Sequence, residues 1–192
     1  MNRLIWVSLL VVLWSVPASA YWELDNDRST LNFTSTKANT AAEVSAFRKL
    51  EGTVDQKGNA KLTIDLGSVD TTNELRDQRM RDMLFETAEY PKATITLSVD
   101  PEQLDSLQVG EQMLLETDAE LSIHGTTSKV PVAMTIARLQ MNRLLAISAK
   151  PIVINAGQVG LEAGLEKLRE VAGLPSISTA VPVTFILSFN KK

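Results

Sequence analysis

Residues 113–136 read MLLETDAELSIHGTTSKVPVAMTI. Met113, Leu115, Thr117, Ala119, Leu121 and Ile123 fall on one side of an extended chain, and Glu116, Asp118, Glu120, Ser122 and His124 on the other. Residues 125–129 turn the chain, and Val130, Val132, Met134 and Ile136 bring it back with the same alternation. Period two on both arms of a polar turn specifies an antiparallel hairpin with one dry face and one wet face. The fold class is therefore mainly β.

The same alternation recurs on both sides of this hairpin. Leu31 and Phe33, then Leu62, Ile64 and Leu66, then Ala93, Ile95, Leu97 and Val99 each mark a half-buried strand. Leu145, Ile147 and Ala149 make a further one, and Val181, Val183, Phe185, Leu187 and Phe189 share a side of the last. Pro131 and Pro182 lack a backbone donor and are expected at a strand start or edge. About eight antiparallel strands predict a barrel or a sandwich. A closed eight-stranded sheet is either filled by its own side chains or holds one apolar ligand, and periodicity does not separate the two.

Two segments break the pattern. Residues 68–91, SVDTTNELRDQRMRDMLFETAEYP, are charged and helix-compatible, with Thr72 or Asn73 as a cap and Leu75, Met80, Met83 and Leu84 as a loose apolar stripe. Leu161, Leu165, Leu168 and Ala172 recur at helical spacing, and Gly173 and Pro175 form a helix stop.

The N-terminus has Arg3, an apolar run over 4–14 and Ala18-Ser19-Ala20, the pattern of a cleavable secretory signal over residues 1–20. The run is about half the roughly 20 residues that span a bilayer, so no membrane segment is expected after cleavage. A single domain over 21–192 remains, and the expected location is the periplasm. Loss of Arg3 takes the net charge from −4 to −5, which does not favour nucleic acid. Trp6 and Trp14 leave with the signal, so Trp22 is the one Trp of the mature chain. The absence of Cys excludes disulfides and thiol catalysis.

Signals for chemistry are weak. His124 is the only His, on the Glu116–Asp118–Glu120 face, and a lone His among surface carboxylates is a poor metal site. A Ser-His-Asp triad would have to use it, and no GxSxG elbow is present. Asp70, Glu74, Asp77 and Asp82 alternate with Arg76, Arg79 and Arg81 at the spacing of a solvated helical charge lattice. No catalytic residue, metal or cofactor is assigned.

Several of these residues in order resemble the YceI-like family of exported lipid-binding proteins. The matching pieces are Phe47…Leu50-Glu51-Gly52, Ser68-Val69-Asp70-Thr71-Thr72-Asn73, Arg76-Asp77, Asp82-Met83-Leu84-Phe85, Tyr90-Pro91 and the hairpin residues 119–129. The chain departs from the family at Arg76-Asp77-Gln78-Arg79-Met80, where the family commonly has Arg-Asp-x-His-Leu. It departs again where Lys150-Pro151-Ile152-Val153-Ile154-Asn155 and the 164–172 helix replace an Arg-x-Asp-Phe-Gly stretch.

The resemblance implies an extended, antiparallel, eight-stranded lipocalin-like barrel with one or two short helical inserts. It also implies a carrier for an apolar chain, a polyisoprenoid or an isoprenoid quinone. Phe33, Phe47, Leu75, Met80, Met83, Leu84 and Phe85 are the candidate ligand-binding residues, apolar and close to the helical interlude. Arg76 and Asp77 are expected to form a structural ion pair capping the barrel end. Two other functions stand beside the carrier: a carboxylate-based enzyme on a lipid or small exported metabolite, and a stress-related surface-interaction protein with a filled core. The oligomeric state is open, a homodimer included.

Overall fold

The computed structural model describes residues 20–38 and 40–192. The expected signal lies outside these residues except for Ala20. The strands are β1 (Ala20–Leu24), β2 (Thr30–Lys37), β3 (Ala41–Phe47), β4 (Leu50–Asp55), β5 (Asn59–Asp65), β6 (Val69–Asp70), β7 (Lys92–Ser98), β8 (Gln112–Ile123), β9 (Thr126–Gln140), β10 (Arg143–Ser148), β11 (Ile152–Asn155) and β12 (Ala180–Lys191). The order β1-β4-β5-β7-β8-β9-β10-β12 returns to β1 through the pairs Trp22–Lys191, Glu23–Asn190 and Leu24–Phe189. Eight antiparallel strands thus close a barrel, which removes its sheet edges.

The long strand β12 extends this ring. Its first half leaves the ring pairings and takes β11 (Asn155 to Ala180) and β2 (Phe33 to Val183) as partners. β3 and β6 continue the sheet beyond β2. The wall is therefore taller on this side, and the added height carries the helical elements.

The hairpin obeys its sequence pattern. Ala119, Leu121, Val130, Val132, Met134 and Ile136 are all buried, whereas Glu116, Asp118 and Glu120 are exposed. Pro131 lies inside β9 rather than at its start. Ala149 N–H donates to the Ala133 carbonyl, so Pro131, two residues earlier, directs its missing donor the same way, past the last β9–β10 pair at Met134–Ser148. The register of β10 also differs from the naive pattern. The strand ends at Ser148 and buries Leu144 and Ala146, leaving Leu145 and Ile147 on the other face.

Residues 74–84 form α1 (Glu74–Arg79) followed by a π-turn (Met80–Leu84), in which Phe85 N–H reaches back five residues to the Met80 carbonyl at 2.9 Å. Asn73 is the cap, its side chain accepting from Arg76 N–H at 3.1 Å. An unforeseen helix, α2 (Pro101–Ser106), follows β7. Its signal was present in Asp100-Pro101-Glu102: the Asp100 carboxylate accepts from Glu102 N–H at 2.9 Å and Pro101 occupies the first helical position. The last helix, α3 (Glu162–Val171), packs on the π-turn. Among the described residues no helix is long and apolar enough to cross a membrane.

The helices seal opposite ends. At one end α2 buries Leu104, and Tyr21 Oη donates to Asp105 at 3.0 Å. The buried Arg138 donates to the Leu104 carbonyl at 2.5 Å and the Met141 carbonyl at 3.1 Å, with its guanidinium 5.4 Å from the Trp22 ring centre. This cation, shared between carbonyls and an aromatic face, staples the floor. α1, the π-turn and α3 lie at the other end.

Candidate functional site

Between the two ends runs a cavity of about 610 Å³, inside the range of roughly 300–1,000 Å³ typical of small-molecule sites. The strands lay down its wall through their inward residues, from Trp22 and Leu144 near the floor to Phe33 and Phe47 higher up. Small residues keep the lumen open: Ala93, Ala119 and Ala146 are all buried and all face it. A lumen of this size, lined almost wholly by apolar side chains, is space that the barrel's own residues leave unfilled, so a core merely filled by its own side chains does not describe this barrel.

The structure brings six of the seven expected residues to the wall. Phe33, Phe47 and Phe85 form a stack with ring centres 5.3 and 5.7 Å apart. Met80 and Leu84 lie beside them and are buried. Leu75 lines the cavity yet is 61% exposed, which marks the mouth. Met83 does not line the cavity. It is half-buried, and its carbonyl stands where α3 crosses the π-turn at Gly164.

Other wall residues were missed. Leu161, Leu165 and Leu168 present their helical stripe to the lumen, and Ile152 and Ile154 of β11 join them. The stripe was visible in the sequence; its target was not. Trp22, fully buried, sits at the opposite end of the same cavity.

The polar network at the mouth corrects the expected Arg76–Asp77 pair. Asp77 is buried and accepts from Thr71 N–H at 2.8 Å and Thr71 Oγ1–H at 2.6 Å. Arg76 instead pairs with Glu43, whose same oxygen accepts from Lys37 Nζ at 2.5 Å. The Lys37 hydrogen bond, aided by the charge of Arg76 and opposed by partial burial, holds the Glu43 carboxyl below the usual range. The other carboxylates are engaged as well: Asp70 with Arg48 at 2.8 Å, Glu74 with Arg81 at 2.7 Å, Asp82 with Gln78 at 2.8 Å. None of them lines the cavity, and each is held by a basic or amide side chain.

His124 is also repositioned. It follows β8 in the turn, with a φ of 50°, and not on the acidic strand face. Its Nε2 lies 3.0 Å from the Glu86 carboxylate, and its ring centre 4.5 Å from that of Tyr90. The His124 hydrogen bond, with Lys167 of α3 at 3.5 Å adding its charge, lowers the Glu86 pKa. Among the described residues no three metal-ligating side chains converge.

Glu43 and Glu86 both have depressed pKa values in the fold. A depressed carboxylate contributes stability that is present above its unfolded pKa and is lost as the pH falls through its folded one. Acidification below the ordinary carboxylate range is therefore expected to loosen the mouth and the α3 seat. Hydrogen exchange measured across that interval should show α3 amides losing protection while β8 and β9 keep theirs.

Residues 22–189 match the YceI-like domain family. A search of curated proteins finds no match. Among solved structures, the chain is 40% identical to a polyisoprenoid-binding domain from Saccharophagus degradans implicated in plant cell wall breakdown, covering 91% of this chain and all of that one at a TM-score of 0.89. Burkholderia cenocepacia BcnA shares the fold at 19% identity, 86% and 98% coverage and a TM-score of 0.67. The Campylobacter jejuni YCEI protein does so at 15% identity, 77% and 84% coverage and a TM-score of 0.56.

Proposed function

The chain belongs to the YceI-like domain family, and from that premise we propose that it is a non-catalytic carrier that holds a polyisoprenoid chain, isoprenoid quinones included, inside its barrel. The observation that carries this reading is the apolar lumen that reaches from the phenylalanine stack to Trp22. Burying about ten methylene equivalents there contributes roughly 8 kcal/mol before ordering costs. No catalytic group is needed for that, and the wall offers no carboxylate to a bound chain. The 40%-identical polyisoprenoid-binding domain supports the same ligand class. The positive start, apolar run and Ala18-Ser19-Ala20 ending support export to the periplasm as one mature domain over 21–192.

The test is extraction of the protein, purified from its native host, with organic solvent, followed by mass spectrometry. The delipidated protein is then titrated with a C40 isoprenoid alcohol while Trp22 emission and the thermal midpoint are followed. A stoichiometric isoprenoid in the extract, an emission change and a stabilisation of about 3 kcal/mol at 100-fold excess over Kd are expected. No recovered lipid and no response to the alcohol would sink the carrier function.

A further inference from the structure

The wall of the cavity carries Lys37, Lys61, Arg76 and Arg79 but no carboxylate, in a chain with 23 acidic and 19 basic residues. Lys61 belongs to β5; the other three are at the mouth, linked through Glu43 and α1. Glu43 is the single anion among them, and it is already shared by Lys37 and Arg76. Arg79, one turn along α1 from Arg76, is half-buried and has no hydrogen-bond or ion-pair partner among the described residues. The acids nearest it along the chain are taken: Glu74 by Arg81, Asp77 by Thr71, Asp82 by Gln78. On α3, which packs on the π-turn, Glu166 and Glu170 both face Arg169.

A guanidinium at the rim of an apolar lumen loses hydration without gaining a counter-ion. A neutral carbonyl or hydroxyl supplies an acceptor but no counter-charge, whereas an oxyanion supplies both, through a short charge-assisted bond with the forked donor. Ser35 and Ser45 add hydroxyl groups to the same wall. We propose that the mouth holds an acidic head group, a phosphate ester or carboxylate carried by the buried chain, with Arg79 as its principal contact. This assignment rests on the carrier function and names the head group of its ligand.

Tail-matched probes test it. Geranylgeraniol, geranylgeranyl monophosphate, geranylgeranoic acid and inorganic phosphate are titrated into the delipidated protein and into Arg79→Gln and Arg79→Lys. The wild type is expected to bind the monophosphate or the acid about tenfold or more tightly than the alcohol. Arg79→Gln should bring the acidic and neutral ligands within about twofold of each other, the acidic ones losing far more than the alcohol, and Arg79→Lys should retain most of the preference. Equal binding of alcohol and acidic ligands by the wild type would overturn the proposal, as would equal weakening of both by Arg79→Gln. Competition by inorganic phosphate alone at comparable concentration would make the mouth a free-anion site and overturn the lipid-head assignment. Failure of all three tailed probes to bind the wild type would instead strike the carrier function.

Discussion

Ala146→Trp is expected to weaken binding of long isoprenoid chains about a thousandfold while leaving the barrel folded. Ala146 is buried on β10 between Leu144 and Ser148, and its Cβ faces the lumen. A Trp there finds open space in front of it rather than packed atoms, so the overpacking strain of a filled core does not arise. Aromatic residues also suit strands, and the added ring recovers contacts that the lumen forgoes. The tail, however, needs the same cross-section. Excluding about five methylenes from the deeper half costs roughly 4 kcal/mol, which is close to a thousandfold in Kd. The measurement is a titration series of chain length. Short prenyl alcohols should bind the variant almost as they bind the wild type, and affinity should stop rising with length. Val153→Trp, on an exposed site of β11 that does not line the cavity, is the control and should change nothing. If Ala146→Trp perturbs folding, Ala119→Phe probes the same lumen from β8. Undiminished binding of a C40 chain by either folded variant would mean that the chain does not enter the barrel.

The barrel was legible because alternation is a local property. From Gln112 to Gln140, each inward residue is specified by its neighbour two positions away, and one polar turn sets the register. β10 shows where that locality fails. Its sequence, RLLAIS, is apolar on both faces, and the alternation of Leu145, Ile147 and Ala149 pointed to the wrong one: the structure buries Leu144 and Ala146. The choice came from pairing with β12, Ala146 opposite Leu187, a contact between residues far apart in sequence.

The site divides in the same way. Phe33, Phe47 and Phe85 could be grouped by composition near the helical interlude, yet their stacking depends on β2, β3 and the π-turn meeting in space. Met83 was grouped with them for the same apolar character, but in the π-turn Met80 and Leu84 line the cavity and Met83 does not, a choice that composition alone does not make. Arg76 and Asp77 looked like partners because they are adjacent, but adjacent residues on a helix point apart. Their real partners come from β3 and from the stretch before α1.

Gly164→Ala is expected to destabilise the lid, against its helix propensity. In an ordinary exposed helix the exchange would stabilise by about 1 kcal/mol. Gly164 lies in the first turn of α3, and a Cβ there would stand 2.6 Å from the Met83 carbonyl oxygen and 2.8 Å from Leu84 Cα. Both are backbone atoms of the π-turn, so neither can rotate aside. The helix must retreat by roughly 1 Å to reach ordinary contact, and Leu161, Leu165 and Leu168 retreat from the cavity wall with it. Overpacking of this kind costs about 1–3 kcal/mol, more than the propensity gain returns. Because α3 is seated on the π-turn and not woven into the barrel ladder, the loss should be local. Hydrogen exchange should show α3 amides less protected by about 1 kcal/mol, with β8 and β9 unchanged. Ligand release, followed through Trp22 emission, should accelerate about fivefold if α3 must lift for the chain to leave. A stabilised α3 with unaltered release would mean that the mouth opens elsewhere, between α1 and the β2–β3 hairpin.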